Sequence, residues 1–448
     1  MAVISDHCPD IVVTLVDIDK KKIEAWNSED LSEIPIFEPG LSAVVQRNRG
    51  KNLFFSTNIK EVIKNADMIF ISVNTPTKVR GLGAGYASDL KWVESSARQV
   101  AEYAEGHTIV VEKSTVPVRT AELIQEILLN SENKKDKSIK TFSVLSSPEF
   151  LAEGTAIKDL ENPDRVLIGG SDQMAINLLR EIYLKWIPDE KILLTNIWSS
   201  ELSKLIANAF LAQRVSSINS ISALCESTGA DIQEVVKAIG SDKRIGSKFL
   251  SPGPAFGGSC FRKDILNLVY LCRFYKLADV ANYWEQVLFI NEWQKERISS
   301  LIIDKFFGNV SNKKIIILGF AFKSNTNDTR ESPSIIISKN LIENGAKLFI
   351  NDPKVSRKQI EKELGIKECE FDKLSSGSWT FAQNIELTSK DSDAIVILTE
   401  WDEYKEINWN TITNNMRKPS WLFDTRNIIS SETLKKLNIN FWQVGTSI

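Results

Sequence analysis

Histidine is almost absent from this chain of 448 residues, which contains only His7 and His107. A catalytic triad built on histidine, or a histidine-rich metal site, therefore has little material, and general-base chemistry falls to Glu, Asp or Lys. The five cysteines are an odd number, are widely scattered and form no CxxC pair, which argues against a disulfide framework and against a zinc site. We therefore expect free thiols and no bound metal.

Long apolar runs, a secretory leader and a surplus of basic charge are also missing. No stretch approaches the ~20 apolar residues that span a bilayer, and the start of the chain contains acids and a proline where a signal peptide needs a basic start and an apolar middle. We expect a cytoplasmic protein that does not bind membranes. Lys and Arg number 55 against 58 for Asp and Glu, a formal net charge of -3, which argues against a general nucleic-acid-binding function.

Short β-branched runs alternate with helical patterns in the first part of the chain. No hairpin signal separates these runs, which are 11–17, 67–73, 107–112, 141–145 and 165–168. Such an order of strand, helix and strand predicts parallel pairing with helices covering both faces of the sheet. A second series of strand patterns follows at 314–320, 346–352, 393–399 and 420–426.

The middle of the chain is mainly helical in pattern. Residues 280–307 are expected to form one long helix, because their apolar positions recur at helical spacing. We therefore predict an α/β protein in which two Rossmann-like doubly wound domains are joined by a central helical region with one long helix. The expected domain boundaries are 1–198, 199–309 and 310–448.

Polar residues follow three strands of the first series, where a doubly wound sheet binds its ligands. Asp17 closes the first strand, and an acid there can accept both hydroxyls of an adenosine ribose, although an acid in that place is also common in a turn or helix cap. Hydroxyls and free amides at 74–77 and 114–117 suit a phosphate or a carboxamide, and an ordinary capping turn explains them equally well. No glycine fingerprint precedes Asp17, and GLGAG at 81–85 follows a loop, so we interpret it as a flexible turn.

Cys260 is the strongest single candidate for a reactive group. It follows Gly257 and Gly258 and precedes Arg262, Lys263 and a helical pattern, which places the thiol at a helix N-terminus beside cations. Both features lower the pKa of a thiol and raise its thiolate fraction. The alternative is a small buried core residue, which is the commoner role of a free cysteine.

Two pairs of polar residues at a spacing of four add to this candidate site. Glu149 and Glu153 follow a proline and are expected on one face of a starting helix, where they can also simply complement the helix dipole. Lys204 and Asn208 lie on the pattern SELSKLIANAFL, where a solvated stripe is the alternative. A thiol, a lysine, an asparagine and a carboxylate can together supply a nucleophile, an oxyanion stabiliser and a base for water.

The order of these motifs resembles the UDP-glucose/GDP-mannose dehydrogenase family, and within it the animal-type branch that acts on UDP-glucose. The resemblance covers nearly the whole chain and rests on SVNTPT, EKSTVPV, SSPEFLAEGTAIKDL, NPDRVLIGG, FGGSCFRKD, LGFAFKSNTNDTRESPS and FDTRN. It implies a homo-oligomeric enzyme, a hexamer or a dimer, that oxidises the C6 alcohol of UDP-glucose to a carboxylate with two NAD per turnover. It also implies that the three predicted domains bind NAD, form the dimer contact and bind the UDP-sugar.

The resemblance gives each candidate residue a role. Cys260 resembles the nucleophile that captures the aldehyde as a thiohemiacetal and later carries a thioester. Glu149 corresponds to the base for the hydrolytic water, which Thr115 and Asp264 would hold. Lys204 and Asn208 match the positions that steady the developing alkoxide.

Cofactor and substrate contacts follow from the same resemblance. The residues that match family contacts to NAD are Asp17, Lys22, Val73, Asn74, Thr75, Pro76, Thr77, Ser114, Thr115, Val116, Glu153, Cys260, Lys263 and Arg330. Arg244 matches an arginine that is donated across the subunit interface. The residues that match contacts to the UDP-sugar are Glu149, Phe150, Leu151, Ala152, Glu153, Lys204, Asn208, Arg244, Ser251, Phe256, Gly257, Phe322, Lys323 and Arg426.

The chain departs from the family pattern at its start. Family members begin with a strand and a GxGYVG loop, and this chain is expected to start inside the helix that follows, which leaves the first domain incomplete and two strand edges exposed. A non-catalytic subunit that binds UDP-sugar and assembles with full-length partners is therefore an alternative function. A relative acting on UDP-N-acetylhexosamine or GDP-mannose is a third possibility.

Overall fold

The structure is a computed structural model that describes residues 1–130 and 140–447. The chain divides into two compact units, one formed by Met1–Ala207 with Leu266–Tyr275 and the other by Asn208–Ile265 with Lys276–Ile448. The strands are β1 Val13–Val16, β2 Leu53–Ser56, β3 Met68–Ile71, β4 His107–Glu112, β5 Thr141–Ser146, β6 Val166–Gly169, β7 Ile192–Thr195, β8 Lys314–Leu318, β9 Lys347–Asn351, β10 Ser378–Phe381, β11 Ala394–Ile397, β12 Trp421–Asp424 and β13 Asn440–Gln443.

Helices connect these strands and form the middle of the chain. They are α1 Ala2–His7, α2 Lys20–Asn27, α3 Leu41–Asn48, α4 Ile59–Lys64, α5 Lys91–Tyr103, α6 Thr120–Leu129, α7 Ala156–Glu161, α8 Gln173–Leu184, α9 Ile197–Thr228, α10 Ile232–Gly240, α11 Phe261–Phe274, α12 Ala278–Lys305, α13 Pro333–Glu343, α14 Arg357–Leu364, α15 Ile385–Ser389, α16 Asp402–Lys405, α17 Trp409–Asn415 and α18 Ser431–Lys436. In the part of the chain that the structure describes, no helix is both long enough and apolar enough to cross a bilayer.

The first unit contains two sheets. Strands β1 and β2 pair in parallel, and a second sheet has the order β3-β4-β5-β6-β7. Within the described residues β1 is not hydrogen-bonded to β3, so each of these strands lies at the edge of its own sheet. The sequence prediction of wholly parallel pairing is wrong at one place, because β6 meets β5 antiparallel through Ser146 and Gly169. The connection from β5 to β6 contains only the six-residue α7, which does not form a long crossover helix of the kind that parallel neighbours need.

The core of the first unit follows the sequence pattern directly. In β4 every residue after His107 is buried, as expected for a central strand covered on both faces. Helix α5 buries Val93, Ala97, Val100 and Ala101, a spacing that places all four on one face against the sheet. The strand ends are therefore fixed by a packed core, and the loops that follow them project from a rigid support.

The second unit is built on one parallel sheet. Its strand order is β10-β9-β8-β11-β12-β13, so the order reverses between β8 and β11, and the loops after these strands diverge there. Gly319 follows β8 with φ 99°, and a Cβ at this position would lie 2.3 Å from Thr399 Oγ1. The turn after β8 therefore requires glycine, since a side chain would clash with the loop after β11.

The helical middle differs from its prediction in its details. Helix α9 is 32 residues long and contributes to both units, and the predicted long helix at 280–307 is α12, Ala278–Lys305. Glu149 and Glu153 do not lie on a helix, contrary to the prediction, since residues 147–155 form an irregular loop before α7. The Glu38 carboxylate stabilises the irregular conformation of this loop, because it accepts hydrogen bonds from the amides of Gly154 and Ala156 at 2.8 and 2.7 Å.

Candidate active site

In the first unit, hydrogen bonds join the loops that follow β3 and β4. Ser114 Oγ accepts a hydrogen bond from the Val73 amide at 3.0 Å and donates to the Val73 carbonyl at 2.9 Å. Thr75 Oγ1 donates to the Thr115 carbonyl at 2.8 Å. The two segments predicted to contact NAD, 73–77 and 114–116, are thus brought together as one surface. The interpretation of these hydroxyls as ordinary helix caps fails for Ser114 and Thr75, because their partners lie about forty residues away in the chain.

The rest of this surface is also anchored. Thr77 forms an antiparallel bridge with Ser88, and the Pro76 carbonyl accepts from the Asp89 amide at 2.6 Å. Asn74 lies in the loop after β3, between Val73 and Thr75, which both form hydrogen bonds with the loop after β4. Val116 is almost fully buried, so it anchors the loop after β4 to the protein interior.

Asp17 lies directly after β1, as predicted. Its carboxylate is one-third exposed, accepts a hydrogen bond from the Asp19 amide at 2.9 Å and lies 3.5 Å from Lys22 Nζ. A carboxylate with exposed oxygens next to an ammonium suits the two hydroxyls of an adenosine ribose. The Asp17 carboxylate, the Lys22 ammonium group and the amides and hydroxyls of the loops after β3 and β4 therefore fit the adenosine and nicotinamide ends of NAD.

Glu149 lies in the loop after β5 and forms an ion pair that the sequence prediction missed. Its Oε2 is 3.0 Å from Nζ of Lys113, which also donates to the Ser147 carbonyl and to Tyr183 Oη, both at 3.0 Å. Lys113 side-chain exposure is only 11%. The available signal was a lysine directly after the buried strand β4, a position where an unpaired charge is rarely tolerated.

The other predicted substrate residues of the first unit line the same loop. Phe150 lies between two cations, with Arg165 4.0 Å and Lys204 5.4 Å from the centre of its ring. The Ala152 amide donates to Asp159 at 3.0 Å, which fixes the turn around it, while Leu151 and Glu153 lie on either side. The stretch 149–153 and Lys204 are therefore brought together, as predicted.

Lys204 lies on the buried part of α9, one turn after Glu201. Lys204 is 7% exposed and Glu201 is 2% exposed, so the alternative of a solvated stripe is wrong. The Glu201 carboxylate accepts hydrogen bonds from the amides of Arg119 and Ala121 at 2.7 and 2.6 Å, and so caps the start of α6. Burial raises the pKa of Glu201 to about 7, against the opposing effect of these two amides.

Glu112 is a second buried carboxyl group near Glu201. It ends β4 with no solvent exposure, and in the described structure neither of its carboxylate oxygens has a hydrogen-bond partner. Burial, together with the charge of Glu201, raises the pKa of Glu112 well above its usual value. Burial in this position therefore favours the neutral form of the Glu112 carboxyl group over the ionised form.

In the second unit, Cys260 immediately precedes α11. Its carbonyl accepts from the Asp264 amide at 2.9 Å, which makes Cys260 the first residue of the helix turn, and Ser259 Oγ lies 3.6 Å from its sulfur. The thiol is exposed, whereas Cys8, Cys225 and Cys272 are buried. The prediction of a thiol at a helix N-terminus agrees with this geometry, and the alternative of a core cysteine does not.

Asp264 and Asn208 form a buried pair behind that turn. Asn208 Nδ2 donates to Asp264 Oδ2 at 2.6 Å, and the two residues are 5% and 2% exposed. Lys263 Nζ lies 3.9 Å from the other carboxylate oxygen. Asp264 therefore orients the Asn208 amide, and the two act as one polar unit.

Three buried amide side chains hold the loop 251–257, which was predicted to contact the sugar. Asn291 accepts from the Phe256 amide at 2.8 Å and donates to the Phe256 carbonyl at 3.1 Å. Asn219 accepts from the Gly253 amide, and Gln294 donates to the Gly253 carbonyl, each at 2.8 Å. Sequence reasoning missed these residues because amides on helices α9 and α12 carry no local signal of a partner. Ser251, at the start of the loop, is exposed.

Phe322 packs against Gly257, the last residue of this loop, and Arg426 contacts Phe322. A Cβ at Gly257 would lie 2.7 Å from Phe322 Cβ, so the close approach requires glycine. Arg426 donates to the carbonyls of Phe322 and Leu398 at 3.0 and 2.9 Å and pairs with Glu400 at 3.1 Å. Its guanidinium is thus held at the carboxyl end of the second sheet, where the order of strands reverses.

The remaining predicted residues of the second unit are partly or largely exposed to solvent. They are Lys323, Arg330 and Arg244. Lys323 lies 5.7 Å from the centre of the Phe322 ring, and Arg330 pairs with Asp328 at 2.7 Å. The Arg244 side chain is 89% exposed and pairs with Asp242 within its own turn. Among the described residues no group of three or more His, Cys, Asp or Glu side chains is arranged to hold a metal ion.

Three family models match successive parts of the chain. The UDP-glucose/GDP-mannose dehydrogenase family, NAD binding domain, matches residues 1–187. The central domain of the same family matches residues 198–293, and its UDP binding domain matches residues 316–431.

Individual proteins resemble the chain over nearly its full length. UDP-glucose 6-dehydrogenase 4 of Arabidopsis thaliana is 51% identical over 458 residues, which is 99% of this chain and 94% of the relative. The UDP-glucose 6-dehydrogenase of Gallus gallus is 55% identical over 449 residues, 99% of this chain and 89% of the relative. A solved structure of a UDP-glucose dehydrogenase from the archaeon Pyrobaculum islandicum aligns with a TM-score of 0.82 at 27% identity, over 99% of this chain and 94% of its own.

Proposed function

The chain belongs to the UDP-glucose/GDP-mannose dehydrogenase family, and we propose that it catalyses the NAD-dependent four-electron oxidation of UDP-glucose to UDP-glucuronate. The geometric observation that carries the proposal is the exposed Cys260 thiol at the start of α11, directly ahead of the buried pair of Asp264 and Asn208. A thiol in that place is suited to covalent capture of an aldehyde.

The covalent steps use Cys260. NAD, when bound, accepts one hydride from C6 of the sugar in each oxidation. The Cys260 thiolate attacks the C6 aldehyde and forms a carbon–sulfur bond, which gives a thiohemiacetal. Loss of the second hydride leaves a thioester on the same sulfur. Attack by water then breaks the carbon–sulfur bond and releases the product carboxylate and the thiolate.

The remaining catalytic residues handle charge and protons. Lys204 and Asn208 stabilise the negative charge that develops on the C6 oxygen, and the buried Asp264 keeps the Asn208 amide oriented. Glu149 accepts the proton of the hydrolytic water, which Thr115 and Asp264 hold. The ion pair of Glu149 with Lys113 supports this role, because it fixes the position of the Glu149 carboxylate in the loop after β5.

We assign NAD to the strand ends of the first unit. Asp17 binds the adenosine ribose beside Lys22, and the joined loops 73–77 and 114–116 hold the rest of the cofactor, with Glu153, Lys263 and Arg330 contributing. The hydrogen bonds between the two loops support this assignment, since they fix the main-chain amides that contact the cofactor.

We propose that the loop 149–153 of the first unit, and in the second unit the loop 251–257 and the end of the second sheet, each contain residues that contact the UDP-sugar. The cation of Arg426 is held by two carbonyls and Glu400, and Lys323 lies nearby, so the second unit offers two cations for a diphosphate. We propose three domains with boundaries at 1–198, 199–309 and 310–448, which bind NAD, form the subunit contact and bind the UDP-sugar. The three family models, which match residues 1–187, 198–293 and 316–431, support this proposal.

We propose a homo-oligomer whose subunits meet through α9 and α12. Helix α9 exposes Phe210 and Leu224 by 54% and 57%, and α12 exposes Tyr283 and Phe289 by 55% and 61%. Large apolar side chains on two packed helices are typical of a subunit interface. Arg244, with its side chain 89% exposed and paired only within its own turn to Asp242 among the described contacts, is proposed to reach the substrate site of a second copy.

The function is tested by following NADH formation from UDP-glucose and NAD. We expect sustained formation of two NADH per UDP-glucose from the wild-type chain, and no second NADH from Cys260→Ser, because only the second oxidation needs the thiol. Absence of NADH together with calorimetric binding of UDP-glucose would support the alternative of a non-catalytic UDP-sugar-binding subunit. Competition by UDP-N-acetylglucosamine or GDP-mannose at equal concentration would identify a different substrate.

A further inference from the structure

A line of hydrogen bonds in the second unit joins the ion pair of Glu226 and Arg297 to the loop 251–257. The Arg297 guanidinium donates from Nη1 and Nη2 to the two Glu226 carboxylate oxygens at 3.0 and 2.9 Å. Arg297 Nε donates to Gln294 Oε1 at 3.3 Å, and Gln294 Nε2 donates to the Gly253 carbonyl at 2.8 Å. Each nitrogen of the guanidinium therefore has an acceptor, and one of these acceptors leads to the loop.

Arg297 decides which way the Gln294 amide faces. An amide side chain has one oxygen and one NH2 group, and only the NH2 group can donate to a carbonyl. Because Arg297 Nε occupies the oxygen, the NH2 group of Gln294 is turned toward Gly253. Gln294 is fully buried, so solvent does not compete for either end of its amide.

The ion pair supplies a fixed geometry more than it supplies stability. The Glu226 carboxylate also accepts from the Gly445 amide at 2.8 Å, and the side chains of Glu226 and Arg297 are only 14% and 15% exposed. Burial raises the pKa of Glu226 and lowers the pKa of Arg297, in each case against the opposing effect of the partner charge. The loss of hydration of both charges therefore offsets much of their attraction, as is common for buried pairs.

Gly253 is the point at which the loop approaches a cation of the candidate substrate site. A Cβ at Gly253 would lie 3.4 Å from Arg426 Nη1 and 3.7 Å from the Thr425 carbonyl oxygen. A small shift of Gly253 would therefore change the surface that the loop and Arg426 offer to a ligand.

We propose that Arg297 is a positioning residue for substrate binding, because it orients Gln294 and thereby fixes the loop 251–257 beside Arg426. The inference rests on the proposed function, in which this loop and Arg426 contact the UDP-sugar. Among the described hydrogen bonds, Arg297 reaches the loop only through Gln294. Its loss should therefore weaken the binding of UDP-glucose and leave the rate of the chemical steps largely unchanged.

Arg297→Lys separates this role from a general role in stability. The lysine ammonium can still pair with Glu226, but a methylene group replaces Nε, so Gln294 loses its donor. Calorimetric titration with UDP-glucose in the absence of NAD should give a Kd about tenfold above wild type, the size expected for one lost hydrogen bond to a buried group. The KM for UDP-glucose should rise equally, whereas kcat and the KM for NAD should change less than about threefold.

Arg417→Lys is the matched control for this substitution. Arg417 also pairs through Nε and Nη2 with a buried carboxylate, that of Asp393, which is 3% exposed. Because Arg417 precedes β12 and Arg426 follows it, the control lies at the opposite end of the second sheet. Arg417→Lys should bind UDP-glucose with the wild-type Kd.

A double-mutant cycle tests whether Arg297 acts through Gln294. Gln294→Met removes the donor to Gly253 and should also raise the Kd about tenfold. In the double variant Arg297→Lys with Gln294→Met the Kd should still be about tenfold above wild type, whereas independent effects would multiply to about a hundredfold.

Three results would overturn the inference. They are a wild-type Kd in Arg297→Lys, multiplied effects in the double variant, and a parallel change in the KM values of both substrates and in kcat, which would indicate a general loss of structure. If Arg297→Lys does not fold, the double variant Glu226→Gln with Arg297→Met removes both charges, keeps an acceptor for the Gly445 amide and should show the same tenfold rise. A wild-type chain that binds UDP-glucose and forms no NADH would refute the proposed function, while the titrations would still decide the role of Arg297.

Discussion

Glu201 makes the stability of the first unit depend on pH in an unusual direction. Its carboxylate is 2% exposed and its pKa is raised by burial from 4.5 to about 7. Since the folded state then binds more protons than the unfolded state between these values, the free energy of unfolding falls as pH rises through this window. A shift of this size corresponds to roughly 3 kcal/mol that is present below pH 4.5 and lost above pH 7.

Glu201→Gln removes the charge and keeps an oxygen that can accept from the amides of Arg119 and Ala121. We expect the variant to match wild type at pH 5 and to be more stable above pH 8. For a unit of about 200 residues, roughly 3 kcal/mol is a Tm difference of about 6 to 12 °C. Differential scanning fluorimetry from pH 5 to pH 9 measures this difference.

Glu122→Gln is the matched control for this experiment. Glu122 lies on the same helix start and pairs with Arg119 at 2.7 Å, but its side chain is 40% exposed, so removing its charge should change Tm little at any pH. Parallel pH curves for wild type and Glu201→Gln would refute the reasoning, because they would show that the ionisation of Glu201 costs nothing on folding.

Three further substitutions test other parts of the structure. Glu112→Gln should change the free energy of unfolding by less than about 1 kcal/mol in urea titrations at pH 7, because the buried Glu112 carboxyl group makes no hydrogen bond in the described structure and burial favours its neutral form, which Gln resembles in shape. Asn291→Leu leaves the amide and carbonyl of Phe256 buried without partners, so the KM for UDP-glucose should rise about tenfold with a smaller change in kcat. Asp264→Ala removes the acceptor that orients Asn208, and single-turnover kinetics should show a fall in rate of about 100-fold.

Each of these expectations has a clear contrary result. A large destabilisation by Glu112→Gln would mean that Glu112 is ionised and paired. A pure fall in kcat for Asn291→Leu would place the loop 251–257 in the chemistry instead of in substrate binding. A rate for Asp264→Ala within threefold of wild type would mean that the Asn208 amide is held without its aspartate.

The strands that the sequence pattern missed all lie at sheet edges. Strand β4 was predicted with its observed bounds, because its four β-branched residues at 108–111 are typical of a strand buried on both faces. Strands β2, β7, β10 and β13 each lie at a sheet edge and were not predicted. In β7, Leu193 and Leu194 are nearly half exposed, so the burial that marks a strand in the sequence is missing there.

The positions of candidate-site residues could be predicted from the sequence where the signal lies in neighbouring residues of the chain. Cys260 at a helix start required only the glycines before it and the helical pattern after it. The helix expected at Glu149 does not form, because Glu38, more than a hundred residues earlier in the chain, binds the loop amides. Lys113 was missed for the same reason, since Glu149 and Tyr183 lie 36 and 70 residues away and no local pattern encodes these partners.

The covalent role of Cys260 is tested most directly by trapping the thioester. In Glu149→Gln the hydrolytic base is lost, so UDP-glucose and NAD should give a rapid burst of NADH followed by a slow phase. Intact-protein mass spectrometry after acid quenching should then show a UDP-glucuronyl group, which peptide mapping places on Cys260. Formation of NADH with no adduct on Cys260, and at an unchanged rate in Cys260→Ser, would contradict covalent catalysis by this residue.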